Sequence, residues 1–269
     1  MSLVRIAARI ALVEALKGRT LVGENVRDSF VGGIDIAADG TLHLESDGPY
    51  LSVYTESAKV DDAAPRMVHL NGVVDIVLEW GVTAGMTQVD EGTGASTLVE
   101  IGIPATDANL EFLMDMVGRQ IVDVLSDPDN AWAEIFRGFA LQVRQSELKR
   151  AGGAEADKGT RLAAHQMTLM VELVDDPQRG DGVPVPFVDF FAAADVSDDA
   201  SIVARSALMQ QQLTGTDAPW KAAQRRLGLT SRELLALGLG PLGGDAERAT
   251  PAMTEGTAEI PGHGDVMVT

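Results

Sequence analysis

The sequence predicts an α+β fold: a mostly antiparallel sheet flanked by two main helices, with a small helical C-terminal extension. Three observations predict it. Two stretches, near residues 3–13 and 110–125, carry apolar residues at the 3.6-residue helical period. Between and after them lie segments that alternate at the strand period of two. Beyond Pro186 the character changes to short helical segments joined by small residues.

The first element is a helix. Leu3, Ile6, Ala7, Ile10 and Val13 share one face, Glu14 intrudes on it near the end, and Gly18 closes it. A turn-rich stretch follows, with Ala38-Asp39-Gly40-Thr41 a hairpin turn because Asp-Gly tolerates positive φ. Residues 50–55 form a short strand, with Leu51 and Val53 on one face and Tyr50, Ser52 and Tyr54 on the other. Residues 66–83 form a longer one. Val74, Ile76, Leu78 and Trp80 share its inner face, Asp75 and Glu79 lie opposite with Val77 between them, and Gly72 marks a bulge or bend. Residues 90–97 read as a polar loop and 98–103 as another short strand.

Pro104 and Thr106 introduce the second helix. Its stripe is Leu110, Leu113, Met114, Val117, Ile121, Val124 and Leu125, and Asp127-Pro128 stops it. A short amphipathic turn at 132–136 precedes a strand at 138–147 and a loop at 150–159. The closing strand lies in GTRLAAHQMTLMVELVDDP, residues 159–177. Met167, Leu169, Val171 and Leu173 project to one face; Thr168, Met170, Glu172 and Val174 project to the other. Asp175, Asp176 and Pro177 end it. The order is helix, strand pair, helix, strand pair, within a core domain of residues 1–182.

Residues 183–240 form the helical extension, with helices at 198–213, 219–227 and 230–237. Thr230 and Glu233 open the last of these at capping-box spacing. Residues 241–269 are rich in Gly, Pro, Thr and Ala. They read as an extended arm, disordered alone and ordered only when held against a neighbour.

Composition narrows the function classes. Of 269 residues 45% are hydrophobic but only 4% aromatic, so the core is aliphatic. No apolar run approaches the roughly 20 residues that cross a bilayer. Arg5, Arg9, Glu14 and Lys17 interrupt the first apolar stretch, unlike a secretory signal. The absence of cysteine excludes disulfides, thiolate metal sites and a Cys nucleophile. A net charge of −19 opposes general binding to a phosphate backbone. It suits a conduit along which DNA slides without sticking, and it also serves solubility.

No motif announces a chemistry. His43, His69, His165 and His263 lack metal-ligand partners at helical or hairpin spacing, and His165 reads as a polar edge residue at a strand start. Residues 35–46 place Asp35, Asp39 and Gly40 at calcium-loop positions, but Ala37 fails the third position and Ser46 cannot supply the bidentate Glu. EGTGAST has no following Lys, so it is no Walker-type cradle. The Asp pairs at 61–62, 175–176 and 198–199 sit where they cap or solvate rather than exchange protons. No catalytic, cofactor-binding or metal-ligating residue is assigned. Lys221, Arg225, Arg226 and Arg232 cluster either as a solvated face paired with the acidic core or as a contact for an acidic partner.

Several separated segments together resemble the siphophage tail terminator family, of the lambda tail protein U type. They are ALKGRTLVGENVRDS at 15–29, YLSVYTES at 50–57, VDIVLEW at 74–80, the helix from Leu110, FRGF at 136–139 and GTRLAAHQMTLMVELVDDP. The resemblance covers about the first 180 residues, and it rests on order and spacing rather than on any single motif. It implies a structural virion protein without catalysis or cofactor. Such proteins form a six-membered ring that caps the tail tube and offers its other face to head-completion (stopper) or connector proteins, while DNA passes through the lumen. The implied partners are further copies of the chain, the major tail tube protein and the head-completion protein, with no membrane. The implied location is the head-proximal end of the virion tail, after assembly in the host cytoplasm. Residues 183–269 depart from the family pattern. Two alternatives stay open: another head- or tail-completion adaptor, and a hydrolase or ligand-binding domain assembled from scattered Asp, Glu and His.

Overall fold

The computed structural model describes residues 2–30, 35–36, 42–43, 49–60, 70–83, 87–89, 96–98, 106–150, 154–155, 160–180, 182–215, 217–240, 256–260 and 264–268. Strands β1 (Val26–Asp28), β2 (Tyr50–Lys59), β3 (Val73–Thr83), β4 (Ala140–Arg150) and β5 (Thr160–Leu173) form the main sheet in the order β1-β2-β3-β5-β4. β1 runs parallel to β2, and the other neighbours are antiparallel. The fold is α+β, with the sheet mostly antiparallel.

Alternation sets which face of the sheet is covered. Leu51 and Val53 of β2, Val74, Ile76, Leu78 and Trp80 of β3, and Met167, Leu169, Val171 and Leu173 of β5 are all buried. Pairing aligns them in rows: Val53 and Met167 flank Leu78, and Leu51 and His165 flank Trp80. Helices α1 (Leu3–Leu16), α2 (Asp107–Ser126) and α3 (Ala131–Phe139) complete this core. Trp80 ties α2 to the sheet, because its Nε1 donates to the Met114 carbonyl at 2.9 Å. Gly118 keeps that approach close: a Cβ there would lie 3.1 Å from the Trp80 ring. Before β3, Gly72 takes φ +56°, and a Cβ would meet the Lys59 carbonyl oxygen at 2.3 Å. The bend expected at this glycine is therefore real.

α1 is buried on more sides than its sequence stripe suggests. Val4, Ala8, Ala11, Leu12, Ala15 and Leu16 are covered as well as Ala7, Ile10 and Val13, whereas Leu3 and Ile6 are half-buried. The reason is that α3 packs along α1 beside α2 and the first two strands, with a smaller contact from a helix that the sequence reading lacked, α4 (Val185–Asp195). Pro184 and Pro186 look like loop residues, but proline fits a first helical turn whose amides have no partner anyway. Phe187, Phe190 and Phe191 of α4 enter the same core, with Phe187 packed edge-on at 4.9 Å from Phe139 of α3. α3 replaces the expected short turn at 132–136 and delays the following strand to Ala140. Its N-cap is Asn130, which accepts from the Ala133 amide at 3.2 Å and donates to the Ala15 carbonyl at 3.0 Å.

The remaining helices lie close to their expected places: α5 (Ala200–Leu213), α6 (Pro219–Leu227) and α7 (Ser231–Ala236). The capping box of Thr230 and Glu233 forms. Short paired strands occur at Asp35–Ile36 with Leu42–His43, and at Thr87–Val89 with Ser96–Leu98. The turn at 38–41, residues 66–69 of the strand expected at 66–83 and residues 99–103 of that expected at 98–103 lie outside the described residues, while residues 70–72 are not strand and β3 starts at Val73. The arm was expected to lack structure of its own, yet Gly256–Ile260 pairs antiparallel with Gly264–Val268. The missed signal is Pro-Gly and His-Gly between two short runs of β-formers.

Candidate assembly surface

β4 and β5 form a long hairpin whose outer member is the edge of the sheet. Among the described residues no strand pairs with the outer side of β4. Every residue from 141 to 150 is exposed. Leu141 is 65% exposed, Leu148 54% and Val143 50%. Leu148 and Val143 are register partners of the buried Met167 and Val171, so they continue the helix-covered face of the sheet past the point where helices cover it.

The edge is not uniform. Register shifts opposite Met170/Val171 and Glu172/Leu173 leave Arg144 and Leu141 as extra residues. Such bulges blunt an edge and bend it. Residues 145–150 pair without interruption and present a straight row of backbone donors and acceptors. Glu147 and Lys149, paired at 3.0 Å, put charge along that row. Charges on an edge reject unspecific strands while leaving room for a matched partner.

The sheet face opposite the helices is polar and carries a cross-strand network. Gln166 donates to the Tyr54 hydroxyl at 3.1 Å, which donates to Glu79 at 3.3 Å. Ser57 donates to Asp75, and Arg144 pairs with Glu172 at 2.7 Å. Burial, then the Glu79 charge, pushes the Tyr50 phenol up to about 12, and the same two causes raise Tyr54. Asp75 and Glu79, which the alternation placed together, therefore lie on the face opposite the helices, half-buried on either side of the buried Val77.

The acidic pairs have structural work. Asp176 caps α1 from the far end of the core, accepting from Ser2 Oγ at 2.7 Å, the Leu3 amide at 3.1 Å and the Val4 amide at 3.0 Å. Asp175 accepts from the Asn71 amide at 3.4 Å. Asp199 caps α5 through the Ser201 amide at 2.8 Å, and that bond lowers its pKa. The pair at 61–62 lies outside the described residues. In the basic cluster, Arg225 pairs with Asp217 inside the extension and lowers that carboxyl's pKa. Arg226 lines an open cleft with Asp175 and Asp176. Arg205, outside that cluster, reaches Asp28 of β1 at 2.8 Å and so ties α5 to the core.

No established family model and no curated protein sequence matches this chain. No helix among the described residues is long and apolar enough to cross a membrane.

His165 departs most from its sequence reading. It is 5% exposed and lies on β5 between β3 and β4, not at an edge. The polar edge assignment fails because β4 runs on to Arg150 and pairs directly with His165. Glu111 and Asp115 on α2 face it, and the three donor groups lie within 4.8 Å of one another. The sequence signal for this triple is the i,i+4 spacing of the two carboxylates, which place one helix face over the strand.

Proposed function

We propose that this chain is a structural virion protein that closes into a ring at the head-proximal end of a phage tail tube. In that role one ring face meets the tube protein and the other the head-completion or connector protein, with DNA passing through the lumen. The observation that carries the reading is the uncovered edge of β4. A strand this long, with Leu141, Val143 and Leu148 exposed along it, leaves backbone groups and apolar area that a second copy can cover.

Two further features support it. The order of helices and strands follows the segments that resemble tail terminators. The net charge of −19 disfavours DNA adhesion, as a lumen requires. Pairing of β4 with a different surface on the next copy is heterologous, and heterologous contacts either close into rings or run on as filaments. Negative-stain microscopy of the purified chain at rising concentration separates these cases. Closed rings with a central channel are expected; monomers at every concentration, or open filaments, overturn the proposal.

A further inference from the structure

We propose that Glu111, Asp115 and His165 form a binding site for one divalent transition-metal ion of the zinc type. Three observations carry it. His165 is held rigidly: it is buried in the middle of the sheet, and the Trp80 ring packs edge-on against it at 5.8 Å. Its Nε2 lies 3.2 Å from Glu111 Oε1. Two donors on one tetrahedral ion, each bonded at about 2.0–2.2 Å, stand about 3.3–3.5 Å apart. The imidazole and the first carboxylate thus already have close to ligand spacing.

Asp115 supplies the third donor from the next turn of α2. It is exposed, so a change of rotamer brings its carboxylate onto the ion without disturbing the core. Arg150 takes the other Glu111 oxygen at 3.2 Å, which leaves Oε1 directed at the imidazole. Nε2 is the ring nitrogen that faces Glu111, and ligation there leaves the ring proton on Nδ1, which is buried with no hydrogen-bond partner among the described residues. One imidazole nitrogen with two carboxylates selects zinc, cobalt or nickel over magnesium and calcium, which prefer all-oxygen shells. With three protein donors and the carboxylates at the surface, a fourth position opens to water.

The test uses the untagged full chain titrated with ZnCl2 by calorimetry, with CoCl2 absorption as a report of tetrahedral geometry and MgCl2 as the comparison ion. One zinc per chain is expected, together with a rise in melting temperature of roughly 5–10 °C at a hundredfold excess over Kd. His165→Asn and Asp115→Asn should each weaken binding by at least about 10-fold. Removing the other histidines together, by His43→Asn, His69→Asn and His263→Asn, should leave it unchanged. Asp115 is exposed, so its variant remains informative if His165→Asn fails to fold. Absence of zinc binding, binding unaffected by Asp115→Asn, or loss in the triple variant overturns the proposal.

Discussion

Asp176 accepts three hydrogen bonds from the first turn of a helix whose cap residue, Ser2, lies 174 positions earlier. Amides at a helix start have no partner in their own helix, and a carboxylate there also meets the positive end of the dipole. Asp176→Ala should therefore cost about 1–2 kcal/mol in urea unfolding. Asp175→Ala, which loses one long contact at an exposed site, should cost no more than about 0.5 kcal/mol; equal losses would contradict the capping role. Tyr50 gives a pH-dependent counterpart. Its phenol is pushed up to about 12 in the folded chain, while the unfolded chain releases the proton near the ordinary value of 10.0. Below that ordinary value the group leaves stability unchanged, and as pH climbs toward about 12 stability falls because only the unfolded state ionises freely. Tyr50→Phe should flatten this decline in denaturation midpoints measured across the alkaline window; an unchanged slope would refute it.

At the scale of elements, α4 decides how the extension relates to the core. Phe187 is buried against Phe139, with the Phe191 ring tilted against Phe187 and Phe190 edge-on to Phe191. Phe187→Ala should cost about 3–5 kcal/mol, with one cooperative transition lowered as a whole; an early separate transition would show that the extension melts alone. Alternation made β2, β3 and β5 legible, because Val53, Leu78 and Met167 each follow a clean period of two. α4 was hidden because Pro184 at its cap and Pro186 in its first turn read as breakers, and because its three phenylalanines pack into a core built from segments far away in sequence. His165 was hidden for a related reason. A strand's flanks are set by its pairing partners, so burial of one residue depends on how far β4 extends. The metal-ligand triple joins α2 to β5, and no spacing along one segment reports a contact between two.

At the scale of the whole molecule, the sheet surface left exposed among the described residues after the helices have covered one face is the edge of β4, whereas the polar face around Glu79 is half-buried. Copies carrying −19 each repel one another, so association requires contacts that outweigh that repulsion and salt that screens it. An edge with exposed leucine and valine offers such contacts. The chain's charge and a strand at 138–147 were readable from the sequence; that this strand is the sheet edge, unpaired on its outer side among the described residues, was not, since amphipathic alternation looks the same in an edge strand and an interior one. Sedimentation velocity at rising concentration in about 0.15 M salt, for the parent and for the double variant Val143→Lys/Leu148→Lys, tests the assembly claim most directly. Both positions are exposed, so the variant should fold with stability within about 1 kcal/mol of the parent. The parent should sediment as one closed oligomer of defined size and the variant as a monomer; a parent that stays monomeric, or a variant that assembles equally well, would contradict the account.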